Sequence, residues 1–151
     1  NKYKNIELHM LGPLQTNKVK KALQIFDYFH SLDRETLANE FCKDNNYLLT
    51  SKKKFFIQIN TGMEDQKSGI SVNEADDFIS FCMNDLKINV IGLMCIPPIN
   101  QDSIFHFRNL KKIAIKHKLL HLSMGMSNDY ELAIKEGATF IRIGTLLFGN
   151  R

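Results

Sequence analysis

Two stretches towards the C-terminal end combine residue types suited to holding an anion. In Ser123-Met124-Gly125-Met126-Ser127-Asn128-Asp129, glycine lets the backbone turn sharply, and Ser127 offers a hydroxyl beside the first amides of a following helix. Such amides lack partners inside the helix and bind phosphate well. The same serine also reads as a plain helix N-cap. In Arg142-Ile143-Gly144-Thr145, an arginine interrupts an otherwise apolar run, where an unpartnered charge is costly. It needs either a carboxylate within the fold or a ligand. Gly144 permits close backbone approach, and Thr145 adds a hydroxyl. A third polar group, Gln15, Asn17 and Lys18, follows His9-Met10-Leu11-Gly12-Pro13 near the other end. His9 reads more readily as a core or rim residue than as a ligand. The remaining histidines (His30, His106, His117, His121) do not have the spacing of a metal site.

The elements that must position these groups alternate along the chain. Apolar runs at residues 6–11, 28–32, 55–60, 90–96, 120–124 and 140–144 read as strands. Between them lie helical periodicities. The first runs from Asn17 to Phe26, capped by Thr16, and the second is capped by Asp33, with Leu37, Ala38 and Phe41 on its apolar face. The third opens at Ser71 or Asn73 and runs through Leu86, and the fourth spans Ser103 to Lys118. The fifth covers Asn128 to Glu136 behind Ser127 and is stopped by Gly137. Residues 43–54 read as a polar connection. Six strands and five helices in strict alternation predict parallel strands covered by helices. A doubly wound sheet meets the same pattern, but no Gly-rich turn follows the first strand to support a dinucleotide fold. In a βα barrel the residues just after each strand line one rim. Ser127 and Arg142-Ile143-Gly144-Thr145 follow consecutive strands. Together they describe a pocket for a phosphorylated planar ligand.

Composition narrows the classes. The chain has 151 residues, 44% of them hydrophobic, enough for one cored domain over residues 1–151. The net charge of +4 is modest, and the Lys20-Lys21, Lys52-Lys53-Lys54 and Lys111-Lys112 runs have no interleaved aromatics, so they read as solvated faces and not as a nucleic-acid stripe. No run reaches the roughly 18 apolar residues of a membrane span. Cys42, Cys82 and Cys95 form no CxxC pair and fall in apolar stretches, which predicts reduced, buried thiols in a cytosolic-type compartment.

The segments HMLGPLQTNK (9–18), IQINTGMEDQKSGIS (57–71), IGLMCIPP (91–98) and LSMGMSNDYELAIKEGATFIRIGTLLFG (122–149) occur in an order that resembles the pyridoxal phosphate homeostasis proteins. That resemblance implies a TIM-type (β/α) barrel similar to the alanine racemase N-terminal barrel, here lacking about its first two strands. It implies a cytoplasmic protein that binds pyridoxal 5′-phosphate (PLP) and carries or buffers it, with transfer to PLP-dependent apo-enzymes and without established turnover. Ser127, Gly144 and Thr145 would hold the phosphate, Arg142 would face the pyridine nitrogen, and Met124 would line the pocket. Lys67 matches a polar loop lysine at the rim. The covalent lysine of the family would lie upstream of Asn1, and its role is not transferred to Lys18. A racemase-like enzyme is the alternative, although its second base, normally a tyrosine from another domain, has no counterpart in this sequence. A phosphate-binding barrel unrelated to pyridoxal would share the Gly144-Thr145 cup but not the ordered motifs.

Overall fold

Strand residues of this protein divide by parity into two sets with different surroundings. The computed structural model describes residues 6–64 and 68–149. Its strands are β1 (His9–Met10), β2 (Tyr28–Leu32), β3 (Lys54–Asn60), β4 (Ile70–Ser71), β5 (Val90–Met94), β6 (His121–Met126) and β7 (Phe140–Arg142). They form one sheet in the order β1-β2-β3-β5-β6-β7, with β4 a short addition to β3, and every pairing is parallel. Phe29, Phe55, Ile57, Ile59, Leu93, Leu122 and Met124 face the helix layer. Tyr28, Phe56 and Met94 form a separate cluster on the other face, with Ile91 and Phe140 against it. That division is the period-2 alternation of strands, with helices supplying the second layer. Leu32 joins the helix-side set although Tyr28, of the same parity, does not, because the β2–β3 register shifts between Phe29 and Leu32.

The helices are α1 (Val19–Ile25), α2 (Glu35–Cys42), α3 (Asp44–Thr50), α4 (Ala75–Ser80), α5 (Ser103–Lys116), α6 (Tyr130–Lys135) and α7 (Thr145–Phe148). Their buried stripes follow helical spacing: Leu37, Ala38 and Phe41 on α2, and Phe107, Leu110 and Ala114 on α5. Phe29 stacks on Phe55 at 5.2 Å, and Phe41 meets both rings edge-on at 5.0 and 4.9 Å. Each such pair contributes about 0.5–1.5 kcal/mol beyond its buried area. This locks α2 onto β2 and β3.

The sheet is strongly curled. Six strands laid flat at about 4.8 Å spacing would set β1 and β7 roughly 24 Å apart. Yet the rings of His9 on β1 and Phe140 on β7 have centroids 5.9 Å apart, and His30 on β2 reaches Ser123 on β6 at 2.8 Å. The inner face is therefore the interior of a barrel arc, and the partial TIM-type barrel expected from the sequence is the fold observed. Among the described residues, β1 and β7 each pair with one neighbour only, so backbone hydrogen bonding leaves the arc open.

Several local expectations are corrected. Regular pairing of the first strand covers only His9–Met10, with Ile6, Leu8 and Leu11 exposed, because among the described residues the strand has a neighbour on one side only. The connection at 43–54 contains α3. Its signal was hidden because Asn46 and Thr50 are buried polar residues that cap carbonyls of Glu40 and Phe41, at 2.9 and 2.7 Å. The helix expected to run through Leu86 is α4 continued by one π-helical turn over Phe81–Asp85. Neither Thr16 nor Asp33 is a helix cap: Thr16 begins a 3-10 turn, and the residue preceding α2 is Arg34, with no side-chain cap bond. Asp102, by contrast, caps α5 by accepting from the Ile104 amide at 3.0 Å.

Candidate functional site

Gly125 decides where the β6 tip goes. Its φ is +90°, and a Cβ built there would lie 2.5 Å from Ala133 Cβ and 3.0 Å from Tyr130 Cα. Only glycine accepts both the left-handed conformation and the close passage of α6. The chain then turns over residues 127–129, and Asp129 Oδ1 accepts from the Met126 amide at 2.7 Å to close that turn.

Ser127 leaves this turn half-buried and faces the tip of β7 instead of capping a helix. The expected N-cap role is corrected: α6 starts at Tyr130, the residue before it is Asp129, and no side-chain cap bond forms there. The Ser127 hydroxyl accepts from the Gly144 amide at 3.4 Å and from the Leu146 amide at 3.3 Å. Both distances exceed the usual 2.7–3.2 Å range for N–H···O bonds. The two amides are thus weakly engaged and aimed at a point beside an exposed loop. Nothing lies within 4 Å of a Cβ built on Gly144, and Thr145, the first residue of α7, is exposed.

Arg142 projects from β7 into the barrel. Its Nη1 donates to Ser123 Oγ at 2.9 Å and its Nη2 to the Cys95 carbonyl at 2.9 Å. The carboxylate partner that would have given it a purely structural role is absent from its hydrogen bonds among the described residues. Burial pushes the guanidinium down from its ordinary range, with Cys95 and Asp129 acting in the opposite direction. Two of its five N–H groups are used by the protein, which leaves three for another acceptor.

The interior behind Arg142 holds groups that the sequence reading left without a role. Ser123 Oγ lies 2.8 Å from His30 Nδ1, and His30 Nε2 lies 2.9 Å from His9 Nδ1. His30 stacks on Phe56 at 4.3 Å and His9 stacks on Tyr28 at 4.1 Å. Burial, then His9 and Arg142, push His30 down to about 3, so the ring is neutral at physiological pH. Burial also lowers His9, against the carboxylates of Glu7 and Asp27. The one signal available beforehand was a histidine at the parity of Tyr28 in a strand whose other residues are apolar or small. Cys95 is fully buried and its thiol is pushed up to about 12, so it is inert beside Arg142.

Other sequence candidates go elsewhere. Met124 is fully buried in the core between sheet and helices, since Ser123 faces the barrel and the next residue points outward. Gln15 and Lys18 line a separate cleft of about 630 Å³ with Met10, Phe26 and Arg34, to which neither Ser127 nor Arg142 contributes. Lys67 lies outside the described residues. Among the described residues no group of three or more His, Cys, Asp or Glu could hold a metal ion, and no helix is long and apolar enough to cross a membrane.

Comparison with known proteins agrees with this geometry. Residues 4–151 match the family model for the alanine racemase N-terminal domain. The pyridoxal phosphate homeostasis protein of Aquifex aeolicus is 40% identical over 159 residues, covering 97% of this chain and 68% of the relative. The chain spans about two thirds of the length of the curated relatives it matches. PipY of Synechococcus elongatus has been solved without PLP (TM-score 0.86, 32% identity, 98% of this chain and 73% of that one) and with PLP bound (TM-score 0.81, 30% identity). An alanine racemase from Corynebacterium glutamicum shares the fold at TM-score 0.71 and 16% identity, over 99% of this chain and 44% of its own. The curled parallel sheet, the ordered motifs and these relatives agree: the chain belongs to the pyridoxal phosphate homeostasis family, within the alanine racemase N-terminal domain fold.

Proposed function

We propose that this protein binds pyridoxal 5′-phosphate in the cup between the β6 and β7 tips and serves intracellular vitamin B6 homeostasis by carrying or buffering that cofactor. The observation that carries the reading is the pair of amides, Gly144 and Leu146, converging on the Ser127 hydroxyl at the tip of the strand that carries the partly buried Arg142. The donor set fits the group. Amide N–H and serine O–H suit a phosphate dianion, and their long mutual distances make them cheap to redirect to its oxygens. Bare space above Gly144 leaves its amide edge accessible. The PLP-bound structure of PipY, at 30% identity, supports the same ligand class.

When bound, PLP supplies an aldehyde and a pyridine ring that can act as an electron sink. The chain's own residues restrain that chemistry. Arg142 keeps its proton, because a guanidinium does not titrate near neutrality, and towards a ring nitrogen it would act as a donor. A donor there keeps the nitrogen unprotonated and weakens the sink. This suits a carrier, which has no need of a strong electron sink. The free thiols Cys42, Cys82 and Cys95 support a reducing, cytosolic setting, and passage of the cofactor to apo-enzymes is the use such a carrier implies.

Titration of the purified chain with PLP, followed by absorbance and fluorescence, tests the reading. Saturable, non-covalent binding that inorganic phosphate competes away is expected, together with no racemisation of amino acids. Absence of binding at millimolar PLP would overturn the site. Measurable racemisation would overturn the carrier role alone.

A further inference from the structure

Four side chains from four strands form one line through the barrel interior. Arg142 Nη1 lies 2.9 Å from Ser123 Oγ, Ser123 Oγ 2.8 Å from His30 Nδ1, and His30 Nε2 2.9 Å from His9 Nδ1. Donor arithmetic fixes the direction of this line. A guanidinium can only donate, so the serine oxygen accepts from Arg142. The serine has one proton of its own. Its remaining hydrogen-bond partner among the described side chains is His30 Nδ1. Directing the proton there makes Nδ1 an acceptor, and the neutral ring then bears its hydrogen on Nε2, which donates to His9 Nδ1. The opposite tautomer would aim an N–H at the serine oxygen and leave a buried hydroxyl proton without an acceptor. Burying an unsatisfied polar group is unfavourable, and Ser123 and His30 are 0% and 1% exposed.

Packing holds the line in register. Phe56 stacks on the His30 ring at an interplanar angle of 17°, and Phe140 meets the ring edge-on with centroids 6.0 Å apart. A flip of His30 would exchange Nδ1 for a carbon opposite Ser123. The stacked and edge-on neighbours oppose that rotation. At the far end His9 lies flat on Tyr28, at 8° between planes.

We propose that Ser123 and His30 are positioning residues for Arg142, forming a one-way hydrogen-bond relay that starts at the guanidinium, ends at His9 and sets the orientation in which Arg142 meets the heterocycle of its ligand. The relay stands on its own geometry, while its effect on a ligand rests on the PLP reading above. The relay assigns His30 the Nε2–H tautomer and makes its Nδ1 an acceptor on which the guanidinium's placement depends through one serine.

Two measurements on the full chain test it. Long-range ¹H–¹⁵N correlation spectra at pH 7, assigned through loss of the His30 signals in His30→Asn, are expected to find His30 protonated on Nε2 alone. Protonation on Nδ1, alone or with Nε2, overturns the relay. The second measurement is the absorbance band and affinity of bound PLP. His30→Phe keeps a flat ring on Phe56 but removes the acceptor, and it is expected to move the band and weaken binding by about tenfold, one hydrogen bond's worth. His30→Asn, whose Oδ1 can take the place of Nδ1, is expected to keep the unsubstituted band. A His30→Phe protein with an unchanged band, or a His30→Asn protein shifted as far as His30→Phe, contradicts the relay. If the unsubstituted chain binds no PLP, the functional reading fails and the tautomer measurement alone decides the relay.

Discussion

The Ser127 hydroxyl lies 3.4 Å from the Gly144 amide, so the loops after β6 and β7 meet at a single oxygen. A half-buried serine there contributes little to folding, because water can replace it, but it organises two amides towards one point. Ser127→Ala is therefore expected to leave thermal stability within about 0.5 kcal/mol of the parent. PLP affinity is expected to drop by about 10–100-fold, the range for a hydrogen bond to a charged group. Fluorescence titration beside thermal unfolding separates the two effects, and an unchanged affinity would remove Ser127 from the cup.

Arg142 is bonded into the fold and is proposed to face the ligand, so its removal is expected to be visible in both stability and binding. Arg142→Ala strips donors from the buried Ser123 hydroxyl and the Cys95 carbonyl. A loss of about 1–3 kcal/mol in unfolding free energy is expected from those orphaned groups. Urea denaturation reads that loss, and a displaced absorbance maximum of bound PLP reads the changed environment of the ring.

Gly125 and Gly144 form a contrasting pair. Gly125→Ala meets Ala133 and Tyr130 at φ +90° and is expected to destabilise the fold by more than about 1 kcal/mol. Gly144→Ala meets nothing within 4 Å and is expected to leave the melting temperature nearly unchanged while reducing PLP binding by crowding the amide edge. Equal melting temperatures for the two variants would contradict the packing described for the β6 tip.

His30 makes stability depend on acidity. Its folded-state value is held down at about 3 by burial, against an ordinary 6.5, so between those limits the unfolded chain takes up a proton that the folded chain refuses. Stability is full above about pH 6.5 and falls as pH drops towards 3, by up to about 1.4 kcal/mol per pH unit from this group. His9, also lowered by burial, acts in the same direction. Urea midpoints between pH 5 and 8 are expected to fall with acid, with a flatter profile in His30→Asn.

The cysteines offer a kinetic check on burial. Cys82 and Cys95 are buried and their thiols are pushed up to about 12, while half-buried Cys42 is raised by the same cause. A thiol reagent at pH 8 is expected to label Cys42 slowly and the other two only after denaturant is added. Rapid labelling of Cys95 in the native state would contradict the tight interior beside Arg142.

Reading residues in order was enough to obtain the parallel βα arrangement, because strand alternation and helical stripes are local patterns that repeat wherever a two-layer core forms. Phe55-Phe56-Ile57 on β3 and the stripe of Phe107, Leu110 and Ala114 on α5 carry that signal in their spacing alone. The same alternation puts the segments after β6 and β7 side by side, where Ser127 meets the Gly144 amide, since consecutive strands of a parallel sheet end on the same side. Parity turns Ser123 inward and Met124 towards the helices, and polarity misled at α3, where Asn46 and Thr50 are buried because they bond to α2 carbonyls. His30 and Ser123 are 93 residues apart, so no local pattern could join them. Their contact exists only because the sheet curls until β2 faces β6. Curvature is a sum of small twists and side-chain volumes over the whole sheet, and it alone decides which inward-facing groups touch.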